Sequence, residues 1–351
     1  MLHLDFKINS ESFDSTHALL EYAKNLSQQK NHLREVGFFI QQWLDDTETI
    51  KVKTSGSTGT PKLIELKKVN MMNSAQATNS YFNLFENTKA LLCMSVEYIG
   101  GKMMLVRAML GGWNLDVREA SKNPLYNNPE RYDFAAMVPY QVFHSFDDLH
   151  KISTLIIGGG ALSPQLEEKL QSVSTAVFAT YGMTETISHI ALRSINGDKK
   201  SDSYQALSGV RFAIDNNSCL IIDAPSISRE KIVTNDVVHL ISESEFVFLG
   251  RLDNVINSGG VKIYPEKVEK KLAQTLKLPF FIASEKHSAL GEQVILIVET
   301  SEVPTLEAYA DYFSVLEPYE KPKKIYAFSE FLFTDTNKLK RQEILKQLSI
   351  L

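Results

Sequence analysis

The sequence has little of what would assign a class at once. Only two cysteines are present, Cys93 and Cys219, far apart and in no Cys-x-x-Cys pair. Neither a disulfide framework nor a cysteine zinc site can be built from them, and a reducing compartment suits the chain. No run approaches the roughly 18 apolar residues of a membrane span, and the richest, such as Val294 to Val298, has the length of a strand. Lys plus Arg number 37 against 42 Asp plus Glu, a formal charge of −5. That balance lacks the basic excess a phosphate backbone attracts, so nucleic acid is not expected as a partner. The opening residues, Met1-Leu-His-Leu-Asp-Phe-Lys7, read as a short strand and lack the basic and apolar regions of an export signal. A cytoplasmic protein without membrane insertion is expected. No fixed-period repeat or low-complexity stretch is present.

What is present is a core-forming composition, 44% hydrophobic and 23% charged over 351 residues, which predicts two domains or one large and one small. Thr16 to Leu44 spaces Leu19, Leu20, Ala23, Leu26, Val36, Phe39, Ile40 and Trp43 as one or two amphipathic helices. Between Thr54 and Leu249, strand-like runs (Ala90 to Val96, Leu115 to Val117, Phe134 to Val138, Leu155 to Ile157, Ala176 to Phe178) alternate with helical patterns (Gly101 to Leu110, Leu162 to Leu170). Such alternation predicts an α/β fold, a largely parallel sheet with helices on both faces. From Gly209 short alternating strands predict a small antiparallel subdomain. Beyond Arg251 a Gly-Gly turn, a helix from about Pro265, two strands and a charged tail predict a small α+β domain. The expected division is 1–252 and 253–351, with Asp253 at the boundary.

The strongest local signal is Thr54-Ser-Gly-Ser-Thr-Gly-Thr-Pro-Lys62. Gly56 and Gly59 let the backbone turn and present N–H groups, Ser55, Ser57 and Thr58 add hydroxyl donors, and Lys62 supplies a cation, a combination suited to polyphosphate. It is neither a P-loop, since Lys62 follows Pro61 rather than Gly, nor Gly-x-Gly-x-x-Gly. Alone, a Ser/Thr/Gly loop is more often a surface turn. The nine residues together resemble the phosphate-binding loop of the adenylate-forming enzymes, the superfamily of acyl-CoA synthetases, peptide-synthetase adenylation domains and luciferases.

Other segments follow in that superfamily's order. Ala179-Thr-Tyr-Gly-Met-Thr-Glu-Thr186 resembles its second core motif. The resemblance implies that Tyr181 stacks on adenine between Thr180 and Gly182, that Thr184 contacts phosphate, and that Glu185 holds Mg²⁺. A π face suits a purine, and a carboxylate beside a triphosphate requires a divalent cation between them. Val233-Thr-Asn-Asp236 resembles Thr-Gly-Asp, with Asn235 in place of Gly, and makes Asp236 the acceptor of the ribose hydroxyls; Asn tolerates left-handed backbone, so the exchange is expected to be mild. Gly250-Arg-Leu-Asp-Asn-Val-Ile-Asn-Ser-Gly-Gly-Val-Lys262 implies that Arg251 contacts ribose or phosphate, that Asp253 is a hinge, and that Gly259 and Gly260 line the CoA channel. Thr334-Asp-Thr-Asn-Lys-Leu-Lys-Arg341 implies that Lys338 is the catalytic lysine, with Arg341 at the pattern's arginine. A solvated charged face is the plain alternative for that last segment.

Ser95-Val-Glu-Tyr-Ile-Gly-Gly-Lys-Met-Met104 stands where the superfamily carries a Pro-x-x-His-x-x-Gly stretch facing the acyl pocket, with Tyr98 for His. Together with Val138-Pro-Tyr140, Gly158-Gly159-Gly160 and Ser188-His189 it predicts an acyl pocket with two or more rings, suited to an aromatic or medium-sized acid. Lys102, Arg107 and Arg193 are candidate cations for a second substrate carboxylate, although each is more simply a salt bridge. Only 53 residues precede the phosphate loop, which implies a reduced first subdomain. With Tyr98 to Asn114, this most resembles the short o-succinylbenzoate-CoA ligases of menaquinone biosynthesis. The reaction implied is ATP-dependent, with CoA as co-substrate and an acyl-adenylate intermediate, in a monomer or homodimer. Another aryl or short-chain acyl-CoA ligase, a carrier-protein-loading enzyme, or a silent nucleotide-binding module are the alternatives.

Overall fold

A computed structural model describes residues 2–53, 63–334 and 339–350. Its contacts divide the chain into two compact units. The first runs to Leu162 and includes Lys169–Arg211 and Ile222–Ile232; the second comprises Ser163–Glu168, Phe212–Ile221 and everything from Val233. Among the described residues no helix is long and apolar enough to cross a membrane.

The first unit opens with β1 (Lys7–Ile8) and β2 (Glu11–Ser12), joined through Asn9 and Ser10, both at positive φ. The strand expected over Met1 to Lys7 is confined to its end. His3 instead donates its N–H to the Met109 carbonyl at 2.8 Å and Phe6 turns back onto His3 at 3.1 Å, so this stretch closes the end of a helix. Helices α1 (Thr16–Ser27) and α2 (Leu33–Leu44) follow, the first capped by the Ser15 hydroxyl accepting from the Ala18 N–H. Their apolar stripes, Leu19, Ala23 and Leu26 against Val36, Phe39, Ile40 and Trp43, are buried as the spacing predicts. Strands β3 (Thr49–Lys53) and β4 (Leu63–Lys67) pair antiparallel with Lys53 opposite Leu63, so the two ends of the intervening segment lie side by side.

Then come α3 (Lys68–Phe82), β5 (Lys89–Leu92), α4 (Ile99–Gly111), β6 (Asn114–Val117), β7 (Tyr132–Met137), α5 (Pro139–His144), β8 (Ile152–Ile157), α6 (Pro164–Lys169), β9 (Ala176–Gly182), β10 (His189–Ser194) and β11 (Tyr204–Ala206). Strands β1, β6, β5, β7, β8 and β9 lie in that order, all parallel, and β10 and β11 continue antiparallel. This is the expected parallel α/β sheet. Its central strands are apolar on both faces, as in Leu155-Ile-Ile157, because helices cover both sides. Helix α4 is buried almost all round, from Gly101 to Met109, and therefore carries its apolar residues without a stripe.

In the second unit β12 (Arg211–Ile214), β13 (Cys219–Asp223), β14 (Ile232–Ser242) and β15 (Glu245–Arg251) are neighbours in sequence order, β14 and β15 antiparallel, as the alternating pattern from Gly209 predicts. A separate sheet follows. Strands β16 (Ile256–Ser258) and β17 (Val261–Ile263) form a hairpin, α7 (Pro265–Leu272) follows, and β18 (Phe280–His287) pairs antiparallel with β19 (Gly291–Glu299). After α8 (Leu306–Tyr309), β20 (Lys324–Phe328) pairs parallel with β19, and α9 (Arg341–Gln347) closes the chain. Period-two alternation splits this sheet's core in two: Ile282, Val294, Leu296 and Val298 face Val268 and Leu272 of α7, while Phe281, Ala283, Ile295 and Ile297 face Ile344 and Leu345 of α9. The run Val294 to Val298 is apolar throughout because it is covered on both sides.

At the start of α4 the preceding loop folds back on the helix, with the Tyr98 N–H donating to the Ser95 carbonyl at 3.3 Å. A Cβ at Gly101 would lie inside contact distance of that same carbonyl oxygen and of the Val96 Cα. Gly101→Ala is therefore expected to destabilise the protein by about 1–3 kcal/mol, because the neighbour is backbone and cannot swing away. Thermal melting of the variant checks this, and an unchanged melting temperature would show that the loop yields freely.

Candidate active site

In the first unit the chain reverses between β9 and β10; the second core motif supplies the end of β9 with Ala179–Gly182 and the reversal with Met183–Thr186. Thr184, Glu185 and Thr186 form a single 3₁₀ turn. Thr186, to which the sequence reading gave no role, holds it: its hydroxyl accepts from the Met183 N–H at 2.8 Å and reaches the Ser188 carbonyl at 2.8 Å. Ile187 then adopts φ 66° and ψ −56°, with the Ser188 N–H donating to the Thr186 carbonyl at 2.7 Å. That is a γ-turn of positive φ, strained for a β-branched residue. The kink brings the chain back so closely that His189 pairs with Gly182, and a Cβ at Gly182 would overlap the Ser188 carbonyl and the His189 Cα. Gly182 is thus required by strand approach.

The reversal leaves Glu185 exposed, and no ion pair engages it among the described residues. A lone, outward carboxylate of this kind fits Mg²⁺ held mainly by phosphate and water. The Tyr181 and Tyr204 ring centroids lie 5.7 Å apart. Thr180 is committed to the fold, its hydroxyl donating to the Ile157 carbonyl at 3.0 Å. A Cβ at Gly158 would come within 2.6 Å of that hydroxyl, so Gly158 makes room for the Thr180 side chain, while Gly159 is required by its φ of 79°.

The expected acyl-pocket residues Ser188 and His189 meet Arg107 of α4. The Arg107 Nη2 donates to the Ser188 Oγ at 2.7 Å and lies 3.5 Å from the His189 Nδ1, while its Nε has no hydrogen-bond partner. Arg107 is 2% exposed, and no carboxylate pairs with it among the described residues. Burial alone pulls its pKa down to about 9, still a cation at neutral pH. On the far side, the His189 Nε2 is 3.2 Å from the Thr78 Oγ1, whose own hydrogen goes to the Ser74 carbonyl at 3.2 Å. Thr78 therefore accepts, the His189 proton resides on Nε2, and Nδ1 turns its lone pair to the guanidinium. Sequence reading placed Ser188 and His189 in the pocket but missed Thr78, which nothing in its neighbourhood distinguishes from an ordinary helix residue.

The other cations point elsewhere. The Lys102 Nζ donates to the Val96 carbonyl at 2.6 Å and lies over the Phe39 ring at 5.2 Å, tying α4 to α2. Arg193 donates to the Ser201 carbonyl at 3.3 Å and sits over Tyr204. Of the expected rings, Tyr98 stands at the start of α4, and Tyr140 is 43% exposed and packs on His144.

In the second unit Asp236 of β14 lies opposite Arg251 of β15, Oδ1 to Nη1 at 3.5 Å. Arg251 Nη2 also reaches the Asp253 Oδ2 at 3.2 Å, which accepts from the Asn235 amide at 3.3 Å. Asn235 is extended within β14, so its left-handed tolerance is not used; its amide group is. Gly259 and Gly260, at φ 58° and 84°, form the two-residue turn of the β16–β17 hairpin, which demands positive φ at both positions. Thr54, Ser55, Gly56, Ser57, Thr58, Gly59, Lys62 and Lys338 lie outside the described residues.

A family model described as AMP-binding enzyme matches residues 52–226. A crystal structure of an acyl-CoA synthetase (AMP-forming)/AMP-acid ligase II-like protein from Dyadobacter fermentans is 32% identical, with a TM-score of 0.62 over 93% of this chain and 97% of that one. The chain belongs to the AMP-binding enzyme family. Within this family it is 26% identical to the 2-succinylbenzoate–CoA ligase of Escherichia coli over 70% of its own residues, and 22% identical to that of Haemophilus influenzae over 77%. It spans 57% and 64% of the lengths of those two relatives. The fold is also that of the o-succinylbenzoate CoA synthetase of Bacillus subtilis solved with its acyl-adenylate, at 20% identity and a TM-score of 0.72 over 84% of this chain.

Burial and the neighbouring Arg107 hold the His189 pKa well below its usual 6.5. A folded His189 therefore stays neutral where an unfolded one takes up a proton, so stability falls as pH drops below 6.5, by at most about 1.4 kcal/mol per pH unit. His189→Gln, which keeps a donor and an acceptor without a titration, should flatten the dependence of melting temperature on pH between 7 and 5. An unaltered slope would place the titration on another group.

Proposed function

We propose that the chain is an AMP-forming acid–CoA ligase whose acid is an aromatic dicarboxylate of the o-succinylbenzoate type. The carboxylate oxygen of the acid attacks the α-phosphorus of MgATP, the bond to the bridging oxygen breaks, and pyrophosphate leaves with the electron pair. The CoA thiolate then attacks the acyl carbon and AMP departs. Catalysis of this kind is mostly positioning and charge stabilisation. Glu185 would hold the Mg²⁺ that accompanies ATP, and the ion would supply charge neutralisation at the phosphate oxygens. Tyr181 offers a face to adenine, Asp236 accepts from the ribose hydroxyls, and Arg251, Thr184 and the Thr54–Lys62 loop address the phosphates. Lys338 supplies a cation to the first half-reaction, and Asp253 is the pivot that lets the residues after it change roles between the two halves.

The observation that carries the substrate reading is Arg107. A guanidinium buried without a carboxylate costs several kcal/mol, and a protein retains it where a ligand brings the missing charge. Its partners are Ser188 and His189, both expected in the acyl pocket, whereas Lys102 and Arg193 are engaged elsewhere. An acid with one carboxylate for activation and a second for Arg107 fits; a long acyl chain does not. The names of the relatives agree with this choice.

The test is pyrophosphate and AMP release with a panel of acids plus CoA. The proposed acid, o-succinylbenzoate, should exceed benzoate, acetate and palmitate, and formation of ADP and phosphate would sink the reading. Arg107→Gln should lower kcat/KM for the dicarboxylate by about 10–100-fold, the worth of a charge-assisted pair in a shielded site, and leave benzoate turnover nearly unaltered. Equal loss with both acids would return Arg107 to a structural role.

A further inference from the structure

Helix α7 carries Glu266 and Glu269, three residues apart and so on one face. Each carboxylate reaches a different element: Glu269 the start of α9 and a strand, Glu266 the short turn Leu252–Asn254. Glu269 takes Arg341 in a bidentate fork, Nη1 to Oε1 at 2.7 Å and Nη2 to Oε2 at 2.8 Å, and its Oε1 also accepts from the Ile282 N–H at 2.8 Å. The guanidinium lies over the Phe281 ring at 5.4 Å, and the two side chains are only 17% and 28% exposed. Paired donors of this kind fix orientation as well as distance.

Arg341 opens α9, and the chain just before it is pinned as well. Phe333 and Leu339 form an isolated antiparallel bridge, and the Lys340 N–H donates to the Leu332 carbonyl at 2.8 Å. Both flanks of residues 335–338 are thereby held on one stem. One turn earlier on the same face of α7, the Glu266 Oε1 accepts from the Asn254 amide at 2.6 Å, while its Oε2 is buried without a partner against Gly250, where a Cβ would overlap it. Asn254 ends the short turn Leu252–Asn254 that contains Asp253.

The geometry points to Glu269 as a positioning residue of the adenylation half-reaction: through Arg341 it fixes the stem Leu332–Phe333 and Leu339–Lys340, next to Lys338 in sequence, and α7 joins that stem to the Asp253 turn as one strut. The inference rests on the proposed role of Lys338. Neither carboxylate touches substrate in this scheme. A helix-to-helix staple with no link to chemistry would make the same contacts, but its loss would affect both half-reactions alike.

Three proteins decide it: wild type, Glu269→Gln, and Arg341→Lys, which keeps the charge and loses the fork. Single-turnover pyrophosphate release from acid plus ATP should fall about 10²-fold in Glu269→Gln, as expected for a misplaced catalytic group, with thioester formation from synthetic acyl-adenylate and CoA held within about twofold. Arg341→Lys should fall between, and it alone decides if Glu269→Gln melts below the assay temperature. Equal loss of both steps, or loss of neither, overturns the inference. A wild type that releases no pyrophosphate overturns the proposed function instead. The strut is then judged by limited tryptic cleavage after Lys340: faster in the folded variant supports it, and an equal rate refutes it.

Discussion

The first unit is arranged around a charge that water cannot reach. Removing a guanidinium from solvent costs several kcal/mol even after relaxation, and hydrogen bonds recover only part of that. For Arg107 the recovery comes from one hydroxyl and one imidazole nitrogen, Ser188 and His189. Those two can face it only because β10 returns tightly from β9, which requires Gly182 without a side chain, Ile187 in a strained turn, and Thr186 bonded to both ends of that turn. The same turn presents Glu185 outward. Under the proposed function one backbone reversal would serve the phosphate side with its tip and the acyl side with its return strand, and a strain of about 1–3 kcal/mol at Ile187 is tolerated because the surrounding bonds over-determine it.

The histidine is a consequence of the arginine. A protonated imidazole beside a guanidinium in the same dry site would place two like charges within hydrogen-bond distance, so the neutral form is the one that packs. Thr78 completes the arrangement by directing its own hydrogen to the Ser74 carbonyl, which leaves it able only to accept from Nε2. The relay ends on a helix carbonyl and needs no solvent. What remains unsatisfied is the Arg107 Nε, together with the Ser74 hydroxyl.

How much of this was legible in the sequence follows from what each residue is asked to do. The parallel sheet was readable because strands covered on both faces must be apolar throughout, as Leu155-Ile-Ile157 and Val294 to Val298 are. The two helices at Thr16 to Leu44 were readable because their stripes recur at helical spacing. The motif residues stood out by type and order. Backbone causes did not. Gly159, Gly182, Gly259 and Gly260 all fall in quoted motifs, yet the structure explains them by close strand approach, by positive φ or by a hairpin turn. Asn235 replaced a glycine without using left-handed backbone and contributes an amide to Asp253 instead. Tyr140 packs edge-on against His144, a contact its motif did not announce. These outcomes depend on which strand returns beside which, and composition does not encode that.

The three candidate cations make the limit concrete. Lys102, Arg107 and Arg193 are equally basic in sequence, and all three are at least nine-tenths buried. What separates them is the chemistry of the acceptor each one finds. Lys102 has a compact ammonium, which a single carbonyl and the Phe39 ring can satisfy. Arg193 has the Ser201 carbonyl, the Tyr204 ring and the Asp202 carboxylate at 3.9 Å. Arg107 stands five positions, more than a full turn, beyond Lys102 on a helix with no polar side. Its planar fork meets only neutral groups, the Ser188 hydroxyl and the His189 ring from Nη2 and the Met104 sulfur at 3.9 Å from Nη1, and Nε meets none. A planar donor left without a charged partner suits a carboxylate, and the proposed role of this residue rests on that geometric remainder rather than on its charge.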